Sequence, residues 1–167
     1  MTTPASMTIG VISDTHGLLR PEALASLASA QHILHAGDIG NIEILDALRQ
    51  IAPVTAIRGN IDTTGPCTRF PTTELATLGG HSFYLVHSIA DLDISPKAAG
   101  VSAVISGHSH KPSQETRNGV LYLNPGSAGP RRFELPVTVA LINITESGMA
   151  AKIVPILCKG RESLASQ

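Results

Sequence analysis

Five short blocks along this chain carry side chains that bind metals well. They are Asp14-Thr15-His16, Gly37-Asp38, Gly59-Asn60, His87 and Gly107-His108-Ser109-His110. Together Asp14, His16, Asp38, Asn60, His87, His108 and His110 offer imidazoles, carboxylates and one carboxamide, with no thiolate among them. That is more than one four- to six-coordinate ion accepts. It suits two ions that share a carboxylate, and two divalent cations ~3.5–4 Å apart are the apparatus of phosphate ester hydrolysis. Each block alone has an ordinary explanation. Gly-Asp at a strand end is usually a turn or a helix cap, and Gly-Asn a left-handed turn. His87 follows Phe83-Tyr84-Leu85-Val86 and reads equally as a satisfied core histidine. The joint occurrence carries the argument, because every block falls at the end of an expected strand. His32, His35 and His81 lack that placement. His35 reads as structural and His81 as a solvated hairpin residue.

The elements that must position these residues follow from periodicity. Met7 to Ser13 is short, apolar and β-branched, a buried strand. Pro21 opens an Ala/Leu-rich helix running to about Ala30, since proline fits a first helical turn. His32 to Ala36 is a second strand. Asn41 caps a second helix reaching Ile51, with Ile42, Leu45 and Leu48 at helical spacing. Pro53 to Ile57 is a third strand. Strand-helix-strand-helix-strand predicts a parallel sheet with crossover helices. The second half then turns to hairpins: Thr72–Leu78 with Ser82–Val86, Gln114–Arg117 with Val120–Leu123 on Asn118-Gly119, and Val137–Thr145 with Met149–Ile156. A further buried strand spans Val101–Ser106. The expected architecture is two packed sheets with helices outside. In an open α/β sheet, ligands bind outside the carboxyl ends of the strands. Asp14 and His16 are two residues apart, so an extended backbone would aim both the same way, and His108 and His110 would repeat that device. The glycines at 37, 59 and 107 would keep bulk out of a crowded site.

Composition excludes other classes. With 167 residues, 43% hydrophobic and 15% charged, the chain reads as one globular domain rather than a disordered or coiled-coil segment. Twelve Lys and Arg against thirteen Asp and Glu leave no basic excess to collect nucleic-acid phosphates. Trp is absent and aromatics are 3%, so no base-stacking platform is expected. Cys67 and Cys158 have no Cys-x-x-Cys spacing, which argues against a zinc-thiolate site or a disulfide framework. Met1 to Ser6 lacks the charged start and apolar core of a signal peptide, and no apolar run approaches the ~20 residues of a membrane span. The expectation is a cytoplasmic protein whose partner is a small molecule, with a homo-oligomer left open.

The ordered set Asp-x-His, Gly-Asp, Gly-Asn, strand-end His and Gly-His-x-His resembles the calcineurin-like metallophosphoesterases. It looks most like their small single-domain bacterial and archaeal branch, in which Asn-Pro-Gly-Ser also follows the histidine pair, here Asn124-Pro125-Gly126-Ser127. The resemblance covers residues 7–157 as one domain, with 1–6 and 158–167 as tails. It implies a four-layer α/β/β/α sandwich of two mixed β-sheets flanked by helices. It implies a dinuclear centre in which Asp14, His16, Asp38 and His110 hold one ion, Asp38, Asn60, His87 and His108 hold the other, and Asp38 bridges. The ions would be Mn²⁺, with Fe, Zn or Ni as alternatives, and the reaction hydrolysis of a phosphodiester by in-line attack of a bridging water. Asp38, Asn60 and His108 would serve catalysis, Asn60 and His108 also meeting substrate. A phosphomonoesterase or nucleotide phosphatase, and a non-catalytic module like the related retromer scaffold subunit, are the alternatives. The chain departs from the family in two places. Ile61 stands where many relatives carry His and this branch often Cys, and it has no proton to give a leaving group. Asp62 is then a candidate substitute acid or a carboxylate supporting the ligands. Ser88 replaces the glycine usual after the strand-end His. If Asp38 bridges, Asp38→Ala should lose both ions and all activity, whereas Asn60→Ala should weaken one ion only. Metal content per chain distinguishes the two.

Overall fold

The computed structural model describes residues 6–156. Ten strands form two five-stranded mixed sheets. The first sheet contains β1 (Met7–Ile12), β2 (His32–His35), β3 (Val54–Ala56), β9 (Thr138–Thr145) and β10 (Gly148–Pro155), in the order β10-β9-β1-β2-β3. Here β1, β2 and β3 are parallel, and β9 runs antiparallel to β1. The second sheet contains β4 (Thr73–Leu78), β5 (His81–Val86), β6 (Ala103–Ile105), β7 (Ser113–Arg117) and β8 (Val120–Asn124), in the order β4-β5-β6-β8-β7. Its central strands β5, β6 and β8 are parallel. Helices α1 (Pro21–Ser26) and α2 (Ile42–Arg49) cross between the first three strands.

Burial explains the layers. Ile9, Val11 and Leu34 of the first sheet meet Phe83, Leu85, Ile105 and Leu123 of the second in one buried cluster. The opposite face of the first sheet, with Ile12, Ile33 and Val139, packs on Ala23 of α1, on Leu27 just after it, and on Leu45 and Leu48 of α2. Alternation along β1 and β9 serves both clusters, the strand signature of a sheet covered on both sides. A smaller cluster of Tyr84, Val86, Val104 and Val120 lies on the far face of the second sheet, against Leu92 and Ile94. The α/β/β/α order is therefore present, with its fourth layer reduced to the short 3₁₀ turn Ile89–Asp91 and the chain that follows it.

Local details refine the sequence reading. Asn41 caps α2 as expected, its side chain accepting the Glu43 amide. The first helix stops at Ser26 rather than near Ala30. Residues 27–30 tighten into turns because Gln31 must reach the Thr8 carbonyl, at 2.8 Å, to start β2 in register. β3 is shorter than Pro53–Ile57, since Pro53 has no N–H to pair and offers only its carbonyl, to Ile33. Residues 66–69 form a 3₁₀ turn that periodicity did not suggest, and it buries Cys67 in the core. Cys158 lies outside the described residues. His81 is half-buried and 3.3 Å from the Ser102 hydroxyl, not solvated as its hairpin position suggested.

Candidate metal centre

The first sheet delivers Asp14, Asp38 and Asn60 just beyond the carboxyl ends of β1, β2 and β3. The second delivers His87, His108 and His110 beyond β5 and β6. All seven residues named from the sequence meet there. Ligand atoms of Asp14, His16 and His110 lie within 4.8 Å of one another, and so do those of Asp14, Asp38 and His87. Asp38 Oδ2 stands between His16 Nε2 at 3.5 Å and His87 Nε2 at 3.3 Å. Asp14 Oδ1 is 3.2 Å from His110 Nε2 and 3.9 Å from His87 Nε2, so Asp14 also reaches both clusters. Asn60 Oδ1 extends the second cluster, 3.0 Å from His87 Nε2 and 3.1 Å from His108 Nδ1.

The expected extended pairs are not how the chain achieves this. Asp14, His16, Asp38, His108 and His110 all have positive φ, between 46° and 70°. β1 ends at Ile12, and the ligand residues sit in left-handed turns beyond it. Non-glycine residues there cost roughly 1–3 kcal/mol each, and such strain collects at functional sites. Bonds between loops hold it in place. The amides of Asp14, His16 and Gly17 donate to the carbonyls of Gly37, Asp38 and Ile39, at 2.9–3.0 Å. Gly107 donates to the His87 carbonyl at 2.9 Å. The glycine reading holds at two close approaches. A Cβ on Gly59 would overlap Asp38 Oδ1 and its amide nitrogen, and one on Gly107 would overlap Ser13 Oγ and crowd Asp14 Oδ2.

The supporting side chains were mostly invisible to the sequence reading. Asp14 Oδ2 accepts from Ser13 Oγ at 2.5 Å and from the His108 amide at 3.0 Å, which leaves Oδ1 facing the imidazoles. The Ser127 hydroxyl donates to the Asp14 carbonyl, and the Asn124 side chain donates to the Gly107 carbonyl. Asn124-Pro125-Gly126-Ser127 therefore braces both metal loops. His35 is fully buried. Its Nδ1 accepts the Gly37 amide, so its other nitrogen donates to Thr15 Oγ1, which donates to the Ile39 carbonyl. Burial lowers its pKa to about 4, so it stays neutral. Asp62 is buried, and its carboxylate accepts the amides of Ile39, Gly40 and Gly59 at 2.9–3.0 Å. It ties the Asp38 loop to the Asn60 loop.

This donor set fits divalent cations. Asp14 Oδ1 and His16 Nε2 are buried without a hydrogen-bond partner, although they lie only 3.7 Å apart. A buried carboxylate oxygen left unpaired is costly, and a cation between the two groups satisfies both. His87 is prepared as a ligand. Its Nδ1 donates to the Ala36 carbonyl at 2.7 Å, which fixes the ring and turns Nε2 toward Asp38. Burial raises the Asp14 and Asp38 pKa values, but neighbouring donors outweigh it and both end lowered. For Asp14 these are the His16 imidazole and the Ser13 hydroxyl, for Asp38 the His87 imidazole and the Ile61 amide. Burial opposes a charge on His87 as well, yet Asp38 and the Ala36 carbonyl raise its pKa. Burial lowers the pKa of His110 against the pull of Asp14, so it is neutral and ready to ligate.

These directions set a pH dependence. The raised folded value of His87 stabilises the metal-free protein below the ordinary His pKa of ~6.5, and this contribution is lost as pH rises through the raised value. The lowered values of Asp14 and Asp38 stabilise it above their ordinary pKa of ~4 and are lost as pH falls through the folded values. A proton and a divalent cation compete for the same Nε2 lone pair. The rise in melting temperature on adding Mn²⁺ or Zn²⁺ should therefore grow between about pH 5.5 and about pH 7.5, read by thermal melts with and without metal. Gly107→Ala should lower metal affinity by about 10–100-fold, because it displaces the Ser13 and His108 contacts that orient Asp14. Calorimetric metal titration of the folded variant checks this.

Among the described residues no helix is long and apolar enough to cross a membrane. Comparison with known proteins places the site in a family. Residues 7–147 match the calcineurin-like phosphoesterase superfamily domain. A probable metallophosphoesterase of Methanocaldococcus jannaschii is 33% identical, over 90% of this chain and 82% of that protein. Among solved structures, Vacuolar Protein Sorting 29 of Cryptosporidium parvum superposes with a TM-score of 0.72 at 18% identity, over 89% of this chain and 97% of that one. An archaeal phosphodiesterase gives a TM-score of 0.72 at 20% identity, over 89% of this chain and all (100%) of that one. With a fold, an ordered donor set and a domain match that agree over nearly all of its described length, the chain belongs to the calcineurin-like phosphoesterase superfamily.

Proposed function

We propose that this protein is a metal-dependent phosphodiesterase. The observation that carries this reading is the shape around His108, where two grooves open from one exposed imidazole. One, of about 590 Å³, runs over Asn60, His87, Arg58 and Thr73. The other, of about 320 Å³, runs over Ser109, Ile89, Tyr122 and Asn124. A phosphodiester sends two substituents away from its phosphorus, and a monoester sends one. The likeness to an archaeal phosphodiesterase supports the same reading.

In this reading two divalent cations, Mn²⁺ first and Fe, Zn or Ni as alternatives, supply Lewis acidity and a water acidified for in-line attack. The chain's own groups do the positioning. Asp14, His16, Asp38, His87 and His110 form the inner donor set. His108, at the junction of the two grooves, and Asn60, in the larger one, complete the second cluster and also meet the phosphoryl group. Asp62 positions the Asp38 and Asn60 loops and is not the acid, since both its oxygens already accept backbone amides. The proposed substrate is a small phosphate ester, and the proposed setting the cytoplasm.

A second reading, a binding module without turnover, is favoured by the likeness to Vacuolar Protein Sorting 29 and by Ile61. Ile61 enters the site through its backbone alone, its amide donating to Asp38 Oδ1 at 3.0 Å. Its side chain is 41% exposed beside Asn60 and offers no proton. A positioned acid contributes about 10²–10⁴-fold to expelling a poor leaving group. The phosphodiesterase should therefore show a steep fall in kcat/KM as leaving-group pKa rises across substituted phenyl diesters, and Ile61→His should flatten it. Methyl p-nitrophenyl phosphate should be turned over faster than p-nitrophenyl phosphate. A protein loaded with two metals that hydrolyses neither ester would establish the binding-module reading instead.

A further inference from the structure

The larger groove holds a charge that the reaction does not use. Arg58 lines it together with Asn60, His87 and His108. Its side chain is half-buried, and among the described residues the guanidinium has no hydrogen bond or ion pair. Two carboxylates share the groove, Asp91 and Asp93, yet neither pairs with it. Asp93 is taken by the Tyr84 hydroxyl at 2.9 Å. The Arg58 amide donates to the Pro71 carbonyl at 2.9 Å, which pins this residue to the groove wall formed by Thr72 and Thr73. Arg58 thus shares one groove with Asn60, His87 and His108, in reach of a substituent that lies there. A guanidinium with no protein acceptor keeps its planar fork free, and that fork matches carboxylate and phosphate oxygens.

We propose that Arg58 is a specificity residue that binds a second anionic group, a carboxylate or phosphate, on the substituent lying in this groove. The preferred substrates are then phosphoesters whose substituent carries its own negative charge. The inference rests on the phosphoesterase reading for the meaning of the groove, but its test does not depend on turnover. Butylphosphonate and 4-phosphonobutyrate share a phosphonate that no hydrolase of this kind cleaves, and they differ by one terminal carboxylate. Their binding is measured by calorimetry to the metal-loaded protein and to metal-loaded Arg58→Met and Arg58→Lys, with metal content and melting temperature determined for each. The wild-type protein should prefer 4-phosphonobutyrate by about tenfold or more, the range of a charge-assisted hydrogen bond. Arg58→Met should abolish the preference while leaving butylphosphonate affinity and metal content within about twofold, and Arg58→Lys should keep part of it. No preference in the wild-type protein, or a preference that survives in Arg58→Met, overturns the proposal. Binding with this pattern but without ester hydrolysis sustains the Arg58 assignment and rejects the enzymatic reading alone.

Discussion

Asp14 Oδ2 takes the backbone amide of His108, and so joins the end of β1 in one sheet to the end of β6 in the other. The rest of the centre depends on this contact. Ser13 completes the hold on Oδ2, and the free Oδ1 turns toward His16, His110 and His87. Gly107 must be glycine for the contact to close, because any side chain would take the space of Ser13 and Asp14. The Ala128 amide donates to the Ser13 carbonyl, and the Ser127 hydroxyl to that of Asp14, so the chain leading into β9 locks the joint from a third direction. The apolar layer between the sheets sets their distance, and this carboxylate sets their alignment at the site.

The joint also makes the left-handed ligand turns sustainable. Five ligand residues hold a backbone conformation that side chains disfavour. Each is bonded to a neighbouring loop or follows a residue that is, so one turn cannot relax without disturbing another. Such strain makes a ligand set preorganised: the imidazoles need not reorient when cations arrive. Ligands that bind only the folded form stabilise it by mass action, and here they also neutralise two carboxylates held close to one another.

The sequence made the order of strands, the hairpins and the seven donor residues legible because each has a local signature. Asn118-Gly119 adopts positive φ at both positions and turns β7 into β8 as this dipeptide implies. Gly-Asp and Gly-Asn mark strand ends because glycine permits close approach there. The conformation of the donors was not legible. Spacing of two reads as an extended pair, and nothing in Asp14-Thr15-His16 reveals that β1 has already ended at Ile12. The braces were hidden for a related reason. His35 bonds the Thr15 hydroxyl 20 positions away, and Asp62 accepts the Ile39 amide 23 positions away, a backbone group that carries no sequence identity. The two grooves arise from loops of both sheets and have no linear pattern at all.

Position 61 shows how this construction separates duties. Ile61 gives the centre only its amide, which every residue but proline possesses, while its side chain points free of the donor set. Support of Asp38 and the surface presented beside Asn60 are thereby assigned to different atoms of one residue. A lineage can exchange the side chain here for any but proline and keep the amide contact to Asp38. The backbone carries the inheritance, and position 61 is open to drift or adaptation at the rim of the centre.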